Sequence, residues 1–108
     1  MISFEEYQKL SSRTLPLLAE KEALVMAVMG LCGESGEASE IVKKHVFHEH
    51  DLNRDQLRNE LGDVLWYLAA MATVLGVSLE DIASENVAKL KARYPEGWDP
   101  ERSRNRKE

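Results

Sequence analysis

Apolar residues recur at three- and four-residue steps along most of this chain, and no segment alternates them with the period of two that a half-buried strand needs. The longest run carries Ala23, Leu24, Ala27, Val28, Leu31, Ala38, Ile41 and Val42. A second carries Leu57, Leu61, Val64, Leu65, Leu68 and Ala72, and a third Ile82, Ala83, Val87, Leu90 and Tyr94. This spacing places each set on one helix face. It predicts an all-α chain and excludes a sheet.

Local signals punctuate the helices. Ser3 and Glu6 have capping-box spacing and open a short first helix, predicted to run to about Thr14 before Pro16 breaks the pattern. The second helix is expected from near Glu20 to about His45. The polar stretch from His48 to Asn53 reads as a loop, and Asn53 with Gln56 caps the third helix. Gly76 suits that helix's end. Ser78 with Asp81 opens the fourth helix, and Pro95 stops it. Four helices with short connections predict a four-helix bundle-like fold. Residues 1–98 form one domain in this reading, and residues 99–108 a charged, flexible tail. At 108 residues the chain buries little surface alone, which favours homo-oligomers.

Composition narrows the function. A net charge of −5 argues against binding a nucleic-acid polymer, which requires clustered Lys and Arg. No apolar stretch approaches the ~18 residues of a membrane span, and Met1–Glu6 lacks the pattern of a signal peptide. Cys32 is the sole cysteine, which excludes an intrachain disulfide and a cysteine-based zinc site. A cytoplasmic protein is expected.

Two acidic pairs stand out, Glu34-Ser-Gly-Glu37 and Glu60-Leu-Gly-Asp63. Carboxylates three residues apart are neighbours on a helix, and most such pairs form a solvated edge. Here the wheel, at about 100° per residue, puts both pairs on the margins of apolar faces, with Glu40 pointing away. Four carboxylates turned inward repel one another and resist desolvation unless a cation neutralises them. An all-oxygen set suits Mg²⁺ or Mn²⁺. Gly30, Gly33, Gly36 and Gly62 interrupt the same helices, each at a cost of about 0.8–1.0 kcal/mol. Close helix packing and a functional site both account for them.

These residues resemble the MazG-like nucleoside triphosphate pyrophosphohydrolases, whose signature is E-x-x-E, a spacer, then E-x-x-D. The likeness rests on Gly30 to Glu37 and on Glu60 to Tyr67, with a further match from Asn86 to Pro95. It implies an all-α fold, Mg²⁺ dependence with Mn²⁺ substituting, and a homodimer or homotetramer. It also implies hydrolysis of a nucleoside triphosphate to monophosphate and pyrophosphate by metal-activated water attack at the α-phosphorus. Glu34, Glu37, Glu60 and Asp63 would be metal ligands and catalytic groups. Asn86, Lys89 and Arg93 would bind substrate, and they share one strip of the fourth helix. A dNTP or non-canonical NTP is the expected substrate, and house-cleaning of damaged nucleotides, removal of dUTP or dCTP, and hydrolysis of an alarmone stay open as roles. Phosphoribosyl-ATP hydrolysis and a non-catalytic dimerisation module stay open as alternatives.

Other residues read as structural. His45, His48 and His50 sit at a helix end, where the dipole favours them. Cys32 reads as a small buried hydrophobe. Trp66 and Tyr67 are expected to pack inside the bundle or at a subunit interface, and Trp98 to pack with the tail. Tyr7, Gln8 and Thr14 read as surface or core, with the lining of a base pocket as the alternative.

Overall fold

A computed structural model describes residues 1–107, so Glu108 of the predicted tail lies outside the described residues. The described chain is helical throughout: α1 (Phe4–Ser12), α2 (Glu20–Phe47), α3 (Arg54–Leu75), α4 (Leu79–Arg93) and α5 (Pro100–Arg104). The predicted caps are in place. Ser3 accepts from the Glu6 N–H, Asn53 from the Gln56 N–H, and Ser78 with Asp81 forms a reciprocal capping box. α1 stops at Ser12, short of Thr14, because the N–H groups of Arg13 and Thr14 turn back to the carbonyls of Leu10 and Ser11. α2 runs two residues past His45, to Phe47.

α2 and α3 form the main packed pair, and α1 lies across α3 and the start of α4. The buried positions of both helices are all alanines. Ala23 and Ala27 of α2, and Ala69, Ala70 and Ala72 of α3, are buried. Small side chains let the helices approach closely.

The bundle does not close within one chain. Gly76, left-handed at φ 73°, ends α3 as its N–H meets the Thr73 carbonyl and the Val77 N–H meets that of Ala72. The Ser78 capping box then restarts the chain, and α4 leaves α3 at 98°. Leu79 and Ile82 pack with Ala69, Ala72 and Tyr7. Further along, Val87 and Leu90 are exposed, contrary to the buried stripe expected of α4. Val28, Met29, Leu61 and Leu68 are exposed too.

Gln8 braces this elbow from α1. Its Nε2 donates to the Val77 carbonyl at 2.9 Å and to Thr73 Oγ1 at 3.2 Å, while its Oε1 accepts from the Leu79 N–H at 2.9 Å. Where the sequence predicts a flexible tail, α5 stands as a fifth helix, capped by Asp99 accepting from the Glu101 N–H at 2.9 Å. Among the described residues, no single helix is long and apolar enough to cross a membrane.

Candidate metal centre

The α2–α3 packing brings Glu34 of the first acidic pair to both members of the second. Glu34, Glu60 and Asp63 each offer a carboxylate oxygen, and these oxygens lie within 4.8 Å of one another. Ligands on opposite sides of a hard cation, at 2.0–2.6 Å from it, stand roughly 4–5 Å apart. The separations therefore suit one small divalent ion, and among the described residues this is the one such group of metal-ligating side chains.

Glu60 is the strained member. Its Oε2 is buried and has no hydrogen-bond partner. A hydrogen bond with Glu34 holds its carboxyl above the usual carboxylate range. Desolvation and the charges of Glu34, Asp63 and Glu37 push the same way. A buried acceptor with nothing to accept from, among like charges, is what a cation would satisfy. The donor set fits a hard divalent metal.

Glu37 stands apart. It is exposed and lines a neighbouring cleft of about 440 Å³ with Glu40, Lys44 and Gln56, though its charge still reaches Glu60. Glu40 keeps its side chain largely in solvent, as expected, and pairs with Lys43 at 2.8 Å. Asn86 and Lys89 are exposed on α4, and Arg93 is part-buried at its far end. α4 packs on α1 and α3 and forms no comparable pair with α2.

A cleft of about 380 Å³ opens beside the carboxylates, lined by Glu34, Asp63, Trp66 and Tyr67. The two rings meet edge to face, centroids 4.9 Å apart at 85°, and Trp66 Nε1 donates to Thr14 Oγ1 at 2.9 Å. Gly30 makes this packing possible, since a Cβ there would fall inside the Tyr67 ring. Tyr7 also approaches the centre: burial, then the Asp63 charge, raises its hydroxyl pKa. Tyr7 and Thr14, for which a base-pocket position was the alternative to surface or core, lie beside this centre because α1 and its following turn lie over α3. Cys32, expected buried, is exposed. His45 Nδ1 bonds the His50 carbonyl at 2.8 Å, a structural role as expected.

Residues 23–98 match the family model of the MazG nucleotide pyrophosphohydrolase domain. The chain is 41% identical over 80 residues to the Gene 37 protein of Mycobacterium phage L5, with 70% of each chain covered. No solved structure matches it.

Proposed function

Since the chain belongs to the MazG nucleotide pyrophosphohydrolase family, we propose that it hydrolyses a nucleoside triphosphate to the monophosphate and pyrophosphate. The substrate is a dNTP or non-canonical NTP, which gives the enzyme a house-cleaning role in the cytoplasm, where such nucleotides occur. The supporting observation is the convergence of Glu34, Glu60 and Asp63, with one enclosed Glu60 oxygen lacking a partner.

These three side chains would hold Mg²⁺, or Mn²⁺ in its place, with Glu37 joining from the adjoining cleft. When bound, the cation supplies charge neutralisation at the phosphates and acidifies water. The carboxylates orient the attacking water and accept its proton. The water oxygen bonds to the α-phosphorus as the bond to the bridging oxygen breaks, and pyrophosphate leaves with that oxygen. Trp66 and Tyr67 border the carboxylates and offer aromatic surface to a base. Asn86, Lys89 and Arg93 offer donors to phosphate and sugar oxygens.

α4 makes no extensive contact with α2, so a second copy would bring that strip against the carboxylates. Apolar side chains left exposed on α2, α3 and α4 support a homodimer or homotetramer.

The test is a panel of canonical and modified NTPs and dNTPs, with Mg²⁺ or chelator, and products separated by chromatography. Metal-dependent monophosphate and pyrophosphate, lost in Glu60→Gln, support the reading. Orthophosphate as the product overturns it.

A further inference from the structure

The aromatic wall beside the carboxylates is held from outside the two helices that build the centre. Trp66 and Tyr67 share a cleft of about 380 Å³ with Glu34 and Asp63. Tyr67 is seated over Gly30, and Trp66 meets it edge to face with centroids 4.9 Å apart. One edge contact does not fix an indole, whose outer torsion is broad and roughly two-fold. The second restraint comes from Thr14, whose Oγ1 accepts from Trp66 Nε1 at 2.9 Å across 52 residues of sequence.

Thr14 is itself oriented. Its hydroxyl donates to the Ser11 carbonyl at 2.8 Å, and its backbone N–H meets the same carbonyl at 3.1 Å. A hydroxyl has one proton and two lone pairs, whereas the indole nitrogen only donates. With the Thr14 proton engaged by Ser11, a lone pair is left to face Trp66. The relay from Trp66 through Thr14 to Ser11 therefore runs in one direction, and it ties the indole plane to the last turn of α1. Thr14 precedes the segment 23–98 that matches the family model, so the brace comes from outside the region of resemblance.

We propose that Thr14 is a positioning residue: by fixing the Trp66 indole it sets the surface on which the base of a nucleoside triphosphate stacks. This rests on the reading that the carboxylate centre takes such a substrate. Every base has a π face to lay on an aromatic ring. Stacking remote from the reacting phosphorus acts alike in bound substrate and transition state, so it enters KM and not kcat.

The test is steady-state hydrolysis in saturating Mg²⁺ of whichever NTP or dNTP of the panel above turns over fastest. The proteins are wild type, Thr14→Val, Thr14→Ser, Trp66→Phe and the Thr14→Val/Trp66→Phe double variant. Valine keeps the shape of threonine and removes the acceptor. Losing one hydrogen bond weakens binding about two- to tenfold. KM is expected to rise by that factor in Thr14→Val with kcat unchanged, and to return in Thr14→Ser. Trp66→Phe keeps an aromatic face without the N–H, so Thr14→Val should add no further rise in that background. A base-free ribose triphosphate, used as a competitive inhibitor, should bind wild type and Thr14→Val equally well. An unchanged KM in Thr14→Val overturns the proposal, as does a fall in kcat alone, an additive double variant, or equal weakening of the base-free inhibitor. Those outcomes leave the hydrolase reading intact. No metal-dependent turnover by wild type overturns that reading, and this proposal with it.

Discussion

The Tyr67 ring lies over Gly30, in the space where a side chain at that position would stand. By contrast, a Cβ at Gly33, Gly36 or Gly62 meets nothing within 4 Å. Of the glycines interrupting α2 and α3, one is required by packing inside the chain.

The contrast predicts opposite outcomes for two similar substitutions. Gly30→Ala forces the Tyr67 ring off its seat and disturbs its contact with Trp66, at an overpacking cost of about 1–3 kcal/mol. Gly33→Ala meets open space and gains helix propensity, a stabilisation of about 0.8–1.0 kcal/mol. Thermal unfolding of the two variants checks this. Equal shifts of the same sign would show that propensity, not the ring, governs residue 30.

Divalent metal should stabilise the fold through the carboxylates. At a hundredfold excess over its dissociation constant, a ligand bound only by the folded state contributes about 2.7 kcal/mol. Mg²⁺ is expected to raise the unfolding temperature, and Asp63→Asn or Glu60→Gln to abolish that rise. Glu37→Gln should reduce it only partly, since Glu37 lies outside the tight cluster. An undiminished rise in Asp63→Asn would show that the ion binds elsewhere.

In chelator, stability should fall as pH rises. The Glu60 carboxyl is held above the usual range, so on raising the pH the unfolded chain releases this proton first. The folded state then carries more protons, and stability declines with pH. The contribution is complete below the ordinary carboxylate value and is lost through the raised one. Unfolding temperatures across the weakly acidic range should show this slope, and Glu60→Gln should flatten it. Saturating Mg²⁺ should reverse it, because ligation requires the ionised form.

Gln8→Ala should unfold the elbow more readily than its surface position suggests. It leaves the part-buried Leu79 N–H and the Val77 carbonyl without their partner. An unsatisfied buried group costs about 1–3 kcal/mol. Denaturant melts of the full chain measure it, and a loss near zero would mean that water replaces the side chain.

Much of this arrangement was legible from local patterns. Cap residues such as Ser3, Asn53 and Ser78 act within one turn, so spacing alone located the starts of α1, α3 and α4. The meeting of Glu34 with Glu60 and Asp63 followed from the margins of two apolar stripes. What failed to show were quantities set by the relative pose of helices. The wheel treats a helix as isolated, so it turned Glu37 inward with Glu34 although that residue is exposed. It could not see that α4 turns away at Gly76, leaving Val87 and Leu90 uncovered. Cys32 met the same fate, since a small hydrophobe is buried only where another helix covers it.

The bracing of the elbow by Gln8 bears on where this protein can be cut. Similarity to the family begins at residue 23, inside α2, and leaves α1 outside. Yet α1 supplies Tyr7 to the packing of Ala69, Ala72 and Leu79, and Gln8 to the α3–α4 turn. A fragment trimmed to the region of resemblance would bare that alanine seam and loosen the angle at which α4 departs. The region of resemblance and the packed structure therefore have different edges, and α1 belongs to the second.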